Sequence, residues 1–148
     1  MQSEKGKKFY KMHGTGNAFI LILFENETND ELISFAKKIC HPKFGVGADG
    51  LLIVEKPDEN SERRHMKILS ADGSYLEMCG NGLRCFSALL IKLGIEKQFF
   101  FEINTDAGSK KVEVTKEDEM NYLVKSSMGM PNKDSFENIS EDISGIMN

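Results

Sequence analysis

Residues Ser70 to Gly94 read SADGSYLEMCGNGLRCFSALLIKLG: a strand end, a turn, a cysteine in a glycine-rich bend, and then a helix. Asn81 or Gly82 is the expected N-cap, and Gly94 stands where a helix stop belongs. Leu83, Phe86, Ala88, Leu89, Leu90, Ile91 and Leu93 cover most of the helix circumference. Arg84, Ser87 and Lys92 are its only polar positions before Gly94. A helix apolar nearly all round is buried rather than laid on a surface. Cys79 then stands at the mouth of a buried helix, where backbone N–H groups lack partners and the local field favours anions.

That placement has chemical content. A free thiol has a pKa of about 8.5, and a helix N-terminus lowers it and makes thiolate available. The same N–H groups can hold a carboxylate. A thiolate beside a carboxylate cradle suits removal of the proton from the carbon next to that carboxylate. The bland alternative is a small buried cysteine in a turn, since free cysteine often behaves as a core hydrophobe. The flanking glycines weigh against it, because they let a ligand approach the backbone closely.

Outward from this stretch, the 148 residues suffice for one ordinary domain. The composition, 40% hydrophobic and 28% charged, is globular, and a net charge of −4 gives no electrostatic case for nucleic acid. No apolar run approaches the length of a membrane span, and the opening MQSEKGKK lacks the apolar core of a signal peptide. The three cysteines are odd in number and not tightly spaced, which argues against a disulfide framework and for a reducing, cytoplasmic setting.

In chain order, residues 1–8 read as a charged lead-in. Phe9 to His13 is a strand, Gly14 to Asn17 a turn, and Phe19 to Phe24 a continuous apolar strand. Asn26 to Asn29 is a second turn, and Asn29 or Asp30 caps a helix that runs to about Cys40 and stops before Pro42. Gly45 to Gly50, GVGADG, spells GxGxxG. A dinucleotide loop must follow a strand and open a helix. Here a helix precedes and the strand Leu51 to Glu55 follows, so the expectation is a glycine-rich bend without a nucleotide. Pro57 to Arg64 is a polar connection and His65 to Leu69 a strand. Phe99 to Ile103, Lys111 to Val114 and Asn121 to Lys125 complete the strands, with a bend at Ala107-Gly108. Many short strands with one buried helix argue for an α+β fold in which sheet wraps that helix.

The residues ADGS–x3–MCGNGLRC resemble the N-terminal half of diaminopimelate epimerase, a cofactor-independent amino-acid epimerase. KMHGTGNAF resembles the family's opening KMHGxGNDF, and GVGADGLLIVE, NTDAG and MGMP recur in family order, so the resemblance covers roughly Phe9 to Pro131. It implies a mainly antiparallel, barrel-like sheet around a central helix. The implied organisation is a lead-in over 1–8, an epimerase-like domain over 9–131, and a polar tail or linker over 132–148.

The resemblance also implies roles. Cys79 matches one of two acid/base cysteines that stand on opposite faces of the substrate α-carbon and invert it without cofactor or metal. Gly80 and Asn81 match positions whose backbone amides bind the substrate carboxylate. Asn17 matches a substrate-binding asparagine, although on its own it reads as a turn residue. Ser70 stands where the family has the substrate-binding Asn of NADGS, and Ala18 where it has Asp, which leaves a different amino-acid substrate open. Cys85, inside the helix, and Cys40, at a helix end beside His41, read as structural, as do His13 and His65.

No cysteine follows Cys85, so the second acid/base group is expected in a second, homologous half beyond this sequence. A homodimer that sets one Cys79 against another is an alternative. A third reading is a non-catalytic domain of the same fold that binds an amino acid or a partner. The implied pathway is lysine and cell-wall precursor biosynthesis.

Overall fold

The computed structural model describes residues 6–24, 26–55 and 64–130. Most of the lead-in, the polar connection before Arg64 and the tail beyond residue 130 lie outside the described residues. Among those described are eight strands and two helices. The strands are β1 (Phe9–Gly14), β2 (Asn17–Leu23), β3 (Gly50–Val54), β4 (Arg64–Ser70), β5 (Tyr75–Leu76), β6 (Phe100–Thr105), β7 (Gly108–Lys116) and β8 (Tyr122–Ser126). The helices are α1 (Asn29–Ile39) and α2 (Gly80–Lys92). No helix among these residues is long and apolar enough to cross a membrane.

The strands form one mixed sheet in the order β1-β2-β3-β4-β6-β7-β8, with β5 paired to β4. β2–β3 and β4–β6 are parallel, and the other pairs are antiparallel. Adjacent parallel strands need a crossover, and each helix supplies one: α1 joins β2 to β3, and α2 lies between β4 and β6. Both crossovers step the same way across the sheet, but β4 runs opposite to β3. One crossover hand therefore puts the two helices on opposite faces.

The core divides accordingly. Phe19, Leu21, Leu52, Val54, Met66 and Ile68 pack with Leu83, Phe86, Leu89 and Leu90 of α2. The alternate residues Ile20, Ile22, Leu51, Ile53 and Leu69 pack with Leu32 and Ala36 of α1. β3 is covered on both faces, which is why it reads as an unbroken apolar run.

Local chemistry corrects several expected boundaries. The cap of α1 is Thr28 rather than Asn29 or Asp30: its side chain accepts from the Glu31 N–H while Glu31 Oε2 accepts from the Thr28 N–H at 2.7 Å, a complete capping box. The first hairpin turn spans Gly14 to Asn17 as expected, with Thr15-Gly16 as its central pair, both at positive φ (52° and 87°); Asn17 is also the first residue of β2, paired with Gly14. β5 was not anticipated.

α2 begins two to three residues earlier than the expected cap at Asn81 or Gly82. Cys79 is its N-cap, extended at φ −147°, ψ 119°, and its carbonyl accepts the first helical bond from Leu83 N–H at 2.8 Å. The helix end is as expected: Gly94 adopts φ +66°, its N–H donates to Ile91, and the Ile95 N–H donates to Leu90. Those two bonds make a Schellman motif. Ser87, buried mid-helix, satisfies its hydroxyl on the Leu83 carbonyl at 2.7 Å. A Cβ at Gly82 would stand 3.3 Å from Ile68 and 3.4 Å from Leu52, so the absent side chain lets α2 press onto β3 and β4. The bend at residues 41–49 leads from α1 into β3 with no helix after it, as the order of elements required.

Candidate active site

Strand alternation decides which residues meet the start of α2. Phe19 and Leu21 of β2, Leu52 and Val54 of β3, and Met66 and Ile68 of β4 face that helix. Side chains alternate with period two, so Asn17, Gly50 and Ser70 belong to the same face. They also stand at the same sheet end: Phe19 pairs with Gly50, and Gly50 with Ser70. α2 follows the turn after β4, which brings Cys79, Gly80 and Asn81 to that end.

The side chains converge accordingly. Asn17 Nδ2 lies 3.9 Å from Cys79 Sγ, within reach of an N–H···S contact. Cys79 is partly exposed, whereas Cys40 and Cys85 are buried. The Cys79 side chain makes no cap bond. The N–H groups of Gly80, Asn81 and Gly82, which open the helix, have no carbonyl within it to bond. Met128 lies over this opening, its Cε 3.3 Å from where a Gly80 Cβ would stand.

Asn81 is held by Arg84, whose guanidinium donates to its Oδ1; Thr15 Oγ1 stands 3.4 Å from the same oxygen while donating its proton to the Gly14 carbonyl at 2.8 Å. Gly14 lets the hairpin come this close, since a Cβ there would stand 3.2 Å from the Asn81 carbonyl oxygen and 3.4 Å from Arg84. With its oxygen occupied, the Asn81 side chain presents its NH2 edge elsewhere.

Ser70 is differently placed from the other candidates. Its hydroxyl donates to Asp72 Oδ1 and lies 2.7 Å from Ser74 Oγ. Asp72 also accepts from the Ser74 N–H at 2.9 Å and the Ser74 hydroxyl at 2.7 Å. These bonds hold the Asp72 carboxyl down at about 2, the Ser70 hydroxyl contributing most. The single Ser70 proton is thus committed to its own turn.

Cys40 and Cys85 sit in the two cores, as expected of structural residues. Burial raises both thiols, Cys85 up to about 11, so neither is ready to ionise near neutrality. His13 Nδ1 accepts from the Gly16 N–H at 3.3 Å within the hairpin, and His65 Nε2 lies 3.1 Å from Asp106. Among the described residues, no three His, Cys, Asp or Glu side chains gather as a metal site. Sequence reading did not single out Thr15, Asp49, Arg84 or Met128. Thr15, Asp49 and Met128 matter through contacts far away along the chain, which periodicity does not carry, whereas Arg84 reaches Asn81 one helical turn back.

The model of one protein family, diaminopimelate epimerase, matches residues 9–133. The chain belongs to the diaminopimelate epimerase family. A diaminopimelate epimerase of Methanocella arvoryzae is 48% identical over 126 residues, which covers 84% of this chain and 44% of that protein. One from Alkaliphilus metalliredigens is 41% identical over 123 residues, covering 82% of the chain and 43% of the relative. The chain therefore spans less than half the length of these relatives. Among solved structures, a hydroxyproline epimerase from Agrobacterium vitis superposes with a TM-score of 0.65 at 15% identity. It covers 86% of this chain and 43% of that one, and the likeness is one of fold.

Proposed function

We propose that this chain supplies one half of a cofactor-independent epimerase that interconverts LL- and meso-diaminopimelate, with Cys79 as one of two acid/base thiols. The reading rests on one arrangement: Cys79 is itself the N-cap of α2, partly exposed, with an asparagine amide 3.9 Å from its sulfur. As thiolate, Cys79 would take the proton from the α-carbon and become a thiol. The electron pair left on carbon delocalises into the adjacent carboxylate, and a second thiol returns a proton from the opposite face. The N–H groups of Gly80 and Asn81, which have no carbonyl partner within the helix, would stabilise that charge. In reverse, Cys79 is the donor.

Asn17 would hold the substrate beside the thiol, and Ser70 would serve as an acceptor, since its proton is used by Asp72. The second thiol would come from a homologous half beyond this sequence or, failing that, from a second copy of the chain. We take residues 9–131 as the folding unit and the rest as lead-in and linker. We also read the sheet as barrel-like, closing around α2 as its central helix. Nucleic acid, membrane and metal have no place in this reading, which assigns the protein to the cytoplasm.

The test joins the chain to its second half and follows LL-diaminopimelate in D2O. Expected are inversion with solvent deuterium at the α-carbon, and a loss of roughly 100-fold or more in turnover for Cys79→Ala. Unchanged turnover would exclude Cys79 as an acid/base group. The commitment of Ser70 to its own turn favours a second reading, a racemase of another amino acid. Turnover of another amino acid, with none of diaminopimelate, would establish it.

A further inference from the structure

We propose that Asp49 is a positioning residue, which clamps the backbone beside Asn17 and beside Ser70 so that both are presented to the start of α2. The inference deepens the functional reading above and rests on it. It gives a role to the GVGADG bend, which is not a nucleotide loop.

The geometry is specific. Asp49 takes both backbone groups of Ala18: its own N–H donates to the Ala18 carbonyl at 2.8 Å, and its Oδ2 accepts the Ala18 N–H at 2.8 Å. Its carbonyl accepts the Ala71 N–H at 3.1 Å. Ala18 follows Asn17, and Ala71 follows Ser70. One residue therefore ties the first turn of chain after each of the two candidate binding residues, past the point where the β2–β3 ladder ends at Phe19 and Gly50. The bend that carries Asp49 is itself anchored to the end of α1, through Gly47 N–H to the Ile39 carbonyl at 3.0 Å and Ala48 N–H to the Cys40 carbonyl at 3.2 Å. Without an acceptor at position 49, the Ala18 N–H loses its partner, and the strand end that aims the Asn17 amide at the Cys79 sulfur is held only by its pairing with β1 and by the Asp49 N–H.

Asp49→Ala and Asp49→Asn separate this role from one of charge. Both remove the negative charge, but asparagine keeps an oxygen that can accept the Ala18 N–H. In the 148-residue chain, Asp49→Ala is expected to speed hydrogen exchange at the Ala18 amide by roughly tenfold relative to Asp49→Asn. The Asn17 side-chain NH2 signals should shift toward free-amide positions in Asp49→Ala and stay near wild type in Asp49→Asn. Should Asp49→Ala not fold, Asp49→Ser, whose hydroxyl is too short to reach, takes its place. Identical Ala18 exchange and identical Asn17 signals in the two variants would overturn the proposal. So would faster Ala18 exchange with unmoved Asn17 signals, which would leave Asp49 a purely structural residue. Neither readout involves turnover, so this inference and the Cys79 assignment fail separately.

Discussion

Asn17 and Cys79 stand 62 residues apart in sequence, yet the Asn17 amide nitrogen lies 3.9 Å from the Cys79 sulfur. The contact exists because β2 starts at Asn17 and α2 is capped by Cys79, and both starts fall at one end of the sheet. A hydrogen bond of this kind is worth about 1 kcal/mol, or roughly a fivefold change. Asn17→Ala is expected to slow iodoacetamide alkylation of Cys79 at pH 7 by about that factor. Asn17→Asp should slow it further by placing like charge beside the reacting sulfur. Equal rates in all three proteins would remove Asn17 from the thiol's surroundings.

The three thiols should separate cleanly by reactivity. Cys40 and Cys85 are 2% and 3% exposed, and burial raises both. Cys79 is partly open. Brief alkylation of the native chain at pH 8 should therefore label Cys79 alone, with Cys40 and Cys85 appearing only in urea. Peptide mass mapping reads this directly. Native labelling at Cys85 would mean that α2 is less buried than its packing indicates.

The turn after β4 should be acid-sensitive. Folding lowers the Asp72 carboxyl from 3.8 to about 2, through the Ser70 hydroxyl first and then the Ser74 hydroxyl and N–H. A carboxyl lowered by folding contributes stability above its unfolded value and loses it as pH falls through the folded one. The contribution is thus present above pH 3.8 and fades toward pH 2. Asp72→Asn should flatten this part of the melting-temperature profile, and a profile as steep as wild type would assign the acid sensitivity to other carboxylates.

The sequence made α2 legible because its apolar residues leave almost no polar face, and Gly94 marked its end. Its start was not, because cysteine is no recognised cap and the local signals at Asn81 and Gly82 were stronger. The Thr28-x-x-Glu31 box is itself a sequence signal for the start of α1, set directly beside the competing cap residues Asn29 and Asp30. The parallel pairings of β2 with β3 and β4 with β6 follow from where two crossovers land, which no strand states by itself. Only the unbroken apolar runs of β2 and β3 hinted that both faces of these strands were covered. At the site, the family motif pointed to Cys79, Gly80, Asn81, Asn17 and Ser70. The grip of Arg84 on Asn81 was legible as an i,i+3 spacing once the helix start was placed, whereas that of Asp49 on Ala18 depends on folded proximity and had no sequence signal beyond residue type.

Two glycines, one against the end of α1 and one opening α2, should respond in opposite ways to the same substitution. A Cβ at Gly45 would stand 2.2 Å from the Lys38 carbonyl oxygen and 2.5 Å from that of Ile39. Both are backbone atoms at the end of α1 and have no rotamer by which to withdraw. Gly45→Ala must push the bend off the helix end, and with it the segment that carries Asp49, at a cost of about 3 kcal/mol. At Gly80 a Cβ would meet only the flexible end of Met128, at 3.3 Å. Alanine also suits a first helical turn better than glycine, so Gly80→Ala should be neutral or stabilising by up to about 1 kcal/mol. Urea unfolding of the two variants measures both. A Gly45→Ala protein as stable as wild type would show that the bend does not need its close approach to α1.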